Sequence, residues 1–219
     1  GYNYNDILIF NNLLKKNFSK NHYIIFGINK LDEKTGLFYN SLLLVNNEFE
    51  IIQQYNKQKL VPFGEFLPFE NLLNKLGLKK ITEGHGSFQK GYKKNNIQID
   101  QLNILPLICY EIIFPSLIQS ANINTNLIVN ISEDAWFGNT IGPDQHYAKS
   151  IFRAIEKDTF LLRSANQGIS AIINNKGKPV KRLERNETGN IEIEVPLIKS
   201  DNNKNDLIFF VLLITYLFI

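Results

Sequence analysis

The chain contains a single cysteine, and it stands where a thiol could do chemistry. Cys109 lies in "LPLICYEIIFP", between an apolar run and the acid Glu111 two places on. A free cysteine is often only a small buried hydrophobe, so this segment alone leaves an inert and a reactive thiol both open. A thiol attacking a carbonyl needs a base to take its proton, and a cation or N–H donors to hold the oxyanion. Of the three histidines, His22 opens an apolar run, His85 lies in the loop "TEGHGS", and His146 stands in the first turns of a helical pattern. Each reads as a surface or structural residue. A lysine with a carboxylate is the other source of such groups. "QYNKQKLVPFGEFLPFE", at 54–70, supplies Lys57, Lys59 and Glu65 directly after a strand-like run.

Strand-length apolar runs alternate with longer helical patterns, which indicates a layered α/β protein. "HYIIFGIN" (22–29), "FYNSLLLV" (38–45) and "FEIIQQYN" (49–56) read as consecutive strands, and "NILPLICY" (103–110) as a strand that ends at the cysteine. "EIIFPSLIQSAN" (111–122) reads as a helix, "NLIVNIS" (126–132) as a buried strand, and "GPDQHYAKSIFRAIEKDT" (142–159) as an amphipathic helix with Pro143 in its first turn. "FLLRSAN", "GISAIINNKG" and "IEIEVP" (191–196) supply three more strands, with "NNKGK" at 174–178 a hairpin turn. Cys109 is thereby expected between a strand and a helix. There the positive end of the helix dipole favours a thiolate and backbone N–H groups can face an oxyanion, which favours the reactive reading.

Composition narrows the classes further. The 219 residues, 44% hydrophobic, suffice for one large domain. One cysteine excludes an internal disulfide. A net charge of +3, spread along the chain, argues against a nucleic-acid surface. No Cys/His cluster has ligand spacing and no glycine-rich phosphate loop occurs, so no metal or organic cofactor is expected. The sequence begins at Gly1 and has no Met, which reads as a truncated copy. "LIFFVLLITYLFI" at 207–219 is continuously apolar but shorter than the ~20 residues of a bilayer span. Lacking the polar face of a docked core helix, it is expected to begin a membrane helix.

Four blocks, "YNKQKLVPFGEFLP", "ICYEIIFP", "NISEDAWFGNTIGPDQHY" and "RAIEKDTFLLRSANQGISAII", occur in an order that resembles the nitrilase-like catalytic domain of the apolipoprotein N-acyltransferases. The resemblance runs from about residue 20 to residue 196. It implies a four-layer α-β-β-α sandwich over residues 1–200, followed at 201–219 by a linker and the start of a C-terminal membrane helix. It also implies a Glu, Lys and Cys triad, with Cys109 the nucleophile and Lys57 the lysine; strand periodicity alone cannot separate Lys57 from Lys59, which share a face. Glu65 matches a further glutamate that would orient Lys57, and Tyr110 and Glu111 fall in supporting positions. Ile113 stands where amidases of the superfamily often carry Arg, and suits a site that admits acyl chains. Trp136 and Phe137 would line a lipid-accessible pocket or seal the core.

The family's general base follows a proline upstream, and none of Asp6, Asp32, Glu33, Glu48 and Glu50 does so. The triad is therefore expected to be incomplete in these residues and the chain alone inactive. The implied activity is N-acylation of lipoproteins from a phospholipid donor, through a thioester on Cys109, at the periplasmic side of a bacterial inner membrane. A soluble carbon-nitrogen hydrolase of the same fold and an inactive membrane-tethered relic are the rival readings.

Overall fold

Several strands are apolar at nearly every position because both of their faces are covered. The computed structural model describes residues 15–69, 75, 87–92, 96–198, 211 and 214–216. Strands β1 (Ile24–Asp32), β2 (Leu37–Val45) and β3 (Ile51–Asn56) form an antiparallel sheet in that order. A six-stranded sheet runs β4 (Ile97–Ile99), β5 (Leu102–Ile108), β6 (Leu127–Glu133), β7 (Phe160–Asn166), β8 (Ser170–Ile173) and β9 (Pro179–Leu183). Within it β5, β6 and β7 are parallel, so each pair needs a crossover. The first consists of a 3-10 turn, Cys109–Ile113, and the short helix α1 (Pro115–Gln119). The second consists of a 3-10 turn, Asp134–Phe137, and α2 (Gly142–Lys157).

Alternation sends successive residues of the parallel strands to opposite layers. Leu105, Leu107, Ile128, Leu161, Ala171 and Ile173 pack under the helices with Leu117, Tyr147 and Ala154. Their neighbours Ile104, Ile108, Leu127, Val129, Phe160 and Ile172 pack against Leu42, Leu44 and Tyr55 of the three-stranded sheet. The residues between them on β2, Leu43 and Val45, are buried with Ile28 on that sheet's far face. The described elements thus form three of the four expected layers: helices, six-stranded sheet and three-stranded sheet.

Helix α2 follows the expected pattern, burying His146, Tyr147, Ser150, Arg153, Ala154 and Lys157 on one stripe, with Pro143 in the first turn. It ends at Asp158 in the left-handed conformation, whose N–H reaches the Ala154 and Ile155 carbonyls. The 174–178 turn also forms, with Gly177 at φ 75° and its N–H on the Asn174 carbonyl.

Other expectations are corrected. The helix foreseen at 111–122 is a five-residue 3-10 turn followed by five α-helical residues, because Pro115 cannot donate into a continuing helix. Strands β4 and β9 escape the sequence reading; one is three residues long, and the other, "PVKRL", is an edge strand that opens on proline. Residues 191–196 are not a strand. Ile191, Ile193 and Val195 do alternate onto the sheet-to-sheet core, but no hydrogen-bonded partner strand flanks them among the described residues. The apolar segment 207–219 lies mostly outside the described residues, with Val211 and 214–216 helical. Among the described residues no helix is long and apolar enough to cross a membrane.

Ile128 is fully buried in the helix-side core. Ile128→Ala is expected to cost about 2–5 kcal/mol, seen as a lower urea midpoint with an unchanged slope.

Candidate active site

Cys109 follows the last residue of β5 and adopts φ 50°, the left-handed region, without being glycine. Such a conformation costs roughly 1–3 kcal/mol and persists only where the surroundings over-determine it. It turns the chain sharply off the sheet at the carboxyl ends of the parallel strands, where α/β sheets place their ligands. The thiol is half-buried and forms no disulfide. The dipole expected behind it is reduced, since a 3-10 turn and not a long helix follows.

Glu111 binds the two sequence-distant segments together. Its side chain is completely buried. Oε2 accepts the Ile108 N–H at 2.8 Å, and Oε1 accepts the Gln58 N–H at 2.6 Å, the Lys59 N–H at 3.1 Å and the Tyr55 hydroxyl at 2.9 Å. One carboxyl therefore joins the residue before the cysteine to the two residues after Lys57. Burial raises the Glu111 pKa, and the N–H groups of Ile108, Gln58 and Lys59 pull it back only in part. Burial and the neighbouring Glu111 charge push the Tyr55 phenol up as well, so it remains a donor.

Lys57 is buried, and its ammonium lies 2.8 Å from Glu65 Oε2. Glu65 is aimed by Asn40 Nδ2 on Oε1 at 2.6 Å and the Val61 N–H on Oε2 at 2.8 Å. The Lys57 backbone is fixed on both sides, its N–H on the Asn40 carbonyl and its carbonyl on the Gly91 N–H. A Cβ on Gly91 would stand 2.1 Å from the Asn56 carbonyl oxygen, so only glycine permits this approach. Lys59 instead lies over the Phe114 ring, 5.4 Å from its centre. The two lysines diverge because β3 ends at Asn56, before strand alternation could send both the same way.

The remaining expected residues separate by environment. Tyr110 stacks edge-on against Phe114 at 5.1 Å. Trp136 is 58% exposed, while Phe137 packs against the His146 ring at 5.5 Å. Ile113 packs on the helix-side core, which gives its apolar character a structural reason unrelated to an acyl chain. Asp32 bonds the Lys34 N–H in its own turn and Glu50 faces Asn46; Asp6 and His85 lie outside the described residues. His22 is exposed against Ser19.

His146, read from the sequence as surface or structural, is a buried member of a network at the cysteine. Its Nε2 lies 3.0 Å from the Cys109 carbonyl oxygen, and its Nδ1 lies 2.9 Å from Asp134 Oδ1. Asp134 also accepts Ser132 Oγ at 2.6 Å and Arg163 Nη2 at 2.5 Å. Burial opposes the Asp134 charge, but the His146 ring, the Arg163 charge and the Ser132 hydroxyl outweigh it and hold the carboxyl below its ordinary range. Ser132, Asp134 and His146 stand in the third block and Arg163 in the fourth, but nothing in their spacing marks them as partners. Among the described residues no group of His, Cys, Asp and Glu could hold a metal ion.

Comparison with known proteins gives a consistent context. The family model described as carbon-nitrogen hydrolase matches residues 11–201. The chain is 43% identical over 159 residues to an apolipoprotein N-acyltransferase of Rhizobium leguminosarum bv. trifolii, covering 72% of this chain and 30% of that protein. It is 38% identical over 160 residues to the protein of that name in Brucella suis, covering 73% and 30%. The chain thus spans about 30% of the length of these curated relatives. Among solved structures, Saccharomyces cerevisiae Nit3, a member of branch 10 of the nitrilase superfamily, matches with TM-score 0.61 at 21% identity, covering 84% of this chain and 62% of its own. A carbon-nitrogen hydrolase from Helicobacter pylori G27 matches with TM-score 0.59 at 12% identity, covering 82% and 63%. At these identities the two structures share the fold.

Two outcomes follow from the buried carboxylates. Glu111→Gln turns an amide NH₂ toward either the Ile108 N–H or the donors at Oε1, and should lower stability by about 1–3 kcal/mol in urea titration, whereas Tyr55→Phe should cost about 1 kcal/mol or less. A depressed Asp134 pKa means that its stabilisation is complete above the ordinary Asp value of about 3.9 and is lost as pH falls through the lower folded value. Unfolding free energies measured from pH 5 down to pH 2 should therefore fall less steeply in Asp134→Asn.

Proposed function

The chain belongs to the carbon-nitrogen hydrolase family, and on that premise we propose that it is the catalytic domain of a thiol acyltransferase. The acyl donor is a phospholipid and the acceptor the α-amino group of the lipid-modified N-terminal cysteine of a lipoprotein. The observation that carries the reading is the tie made by Glu111, which joins the Cys109 turn to the segment of the buried Lys57–Glu65 pair. The names of the curated relatives support N-acyl transfer to a lipoprotein acceptor. In a bacterial cell the domain would stand on the periplasmic side of the inner membrane, with the exposed Trp136 toward the lipid.

The reaction has two halves. In the first, the Cys109 thiolate attacks the ester carbonyl, the carbon–oxygen bond to the lysophospholipid breaks, and the leaving alkoxide takes up a proton. The Lys57 ammonium, oriented by Glu65, would face the oxyanion of the tetrahedral intermediate. In the second half, the free amine attacks the thioester, an amide forms, the amine gives up a proton, and the thiolate is regenerated. The proton acceptor for the thiol is the one group without a matching acid upstream of Lys57 in these residues.

The test is acylation of the full protein by a phospholipid labelled in its acyl chain, with a hydroxylamine-labile adduct as the readout. Cys109→Ser should abolish the adduct while leaving the thermal transition in place. Lys57→Met should slow its formation about 10²- to 10³-fold, as loss of an oxyanion donor does. Undiminished acyl transfer by Cys109→Ser would refute the proposal. Turnover of simple amides with no transfer to a lipoprotein peptide would favour a hydrolase instead.

A further inference from the structure

The nucleophile's turn is gripped from two sides, and only one grip belongs to the family of contacts around Lys57. Glu111 takes the Ile108 N–H from the side of the three-stranded sheet. From the side of β6 and β7, a continuous polar network reaches the same turn through carbonyl oxygens. Arg163 on β7 donates Nη2 to Asp134 Oδ2, Nη1 to Asn130 Oδ1, and Nε to the Ile169 carbonyl at 3.2 Å. Asn130 on β6 then donates Nδ2 to the Leu107 carbonyl at 3.1 Å, two residues before the cysteine. His146 on α2 spans from Asp134 Oδ1 to the Cys109 carbonyl itself.

Both ring nitrogens of His146 thus face oxygens, and because the Cys109 carbonyl can only accept, the Nε2 position is the donor to it. Arg163 Nη2 stands 3.3 Å from Nδ1 but is committed to Asp134 Oδ2. The ring is 3% exposed and is shielded by Phe137, so it reaches no substrate. Gly168 closes the network from behind: a Cβ there would stand 2.2 Å from Asp134 Oδ2. Meanwhile Cys109 holds φ 50° without glycine's freedom, a conformation that persists only where its surroundings, here the bond to its carbonyl among them, over-determine it.

We infer that His146 is a positioning residue, which holds the Cys109 peptide in its left-handed conformation through the Nε2–H bond to its carbonyl and so aims the thiol. Asp134 fixes the ring, and Arg163 fixes Asp134. The inference rests on the reading of Cys109 as the nucleophile.

The test compares His146→Leu and His146→Gln in the full protein, by acylation kinetics and by the rate of Cys109 alkylation with iodoacetamide. His146→Leu removes the donor and should lower kcat at least 30-fold with KM for the phospholipid unchanged within about twofold, and slow alkylation in parallel. His146→Gln can still present an N–H to the carbonyl and should recover at least tenfold of both rates. A folded His146→Leu protein with wild-type alkylation and acylation rates would overturn the inference, as would a rise in KM at constant kcat. Should His146→Leu fail to fold, His146→Gln is compared with His146→Asn. The shorter Asn should be at least tenfold slower, and equal rates would be an equally clear refutation. Acyl transfer that survives Cys109→Ser would instead remove the nucleophile on which the inference rests, so the two failures are distinguishable.

Discussion

A buried carboxylate with four donors is the interaction on which the site depends. Glu111 is completely removed from solvent, and an unpaired charge there would be far too costly to keep. The Ile108, Gln58 and Lys59 N–H groups and the Tyr55 hydroxyl all point at it. These donors come from the end of β3, the segment after it, and the end of β5, and the first two lie more than fifty residues from Glu111 in the chain. Satisfying the carboxylate and bringing the lysine segment to the cysteine turn are therefore one event. The pairing also fixes direction, because backbone N–H groups can meet the two oxygens only with both chain ends in register.

The sandwich makes such a carboxylate tolerable. Leu42, Leu44, Ile104 and Ile108 pack between the sheets and exclude water from the space beneath it. On the other face of the six-stranded sheet, the Arg163–Asp134–His146 network is set into an equally apolar layer. A network of this kind stabilises only when its members are paired. The Asp134 carboxylate meets this condition with three partners, and Arg163 spends Nε, Nη1 and Nη2 on separate oxygens. Two satisfied polar clusters thus flank one strained residue, and the strain at Cys109 is held by hydrogen bonds on both sides of the turn.

The parallel order β5-β6-β7 explains why these groups meet at all. Their carboxyl ends lie side by side, so Cys109 after β5 and Asp134 after β6 emerge at the same edge, with Arg163 reaching from β7. The crossover helix α2 returns over that edge and presents His146 from its first turns. An antiparallel arrangement would have sent alternate strand ends to opposite edges.

Local pattern in the sequence determined the strands that are apolar on both faces, the amphipathic run of α2 with its early proline, the turn at 174–178, and a cysteine at a strand end. Each of these is written in periodicity or turn chemistry over a few residues, which is why it can be read without the fold. The different surroundings of Lys57 and Lys59 were not written there, since a strand rule gives both the same face and the strand had already ended. The burial of His146 was equally illegible, because a histidine on a helix looks the same whether its ring meets water or a carbonyl 37 residues away. Tertiary structure decided these points, for the same reason in each case. Hydrogen bonds between distant strand ends select one rotamer and one partner, and local sequence carries no record of which distant group will be there.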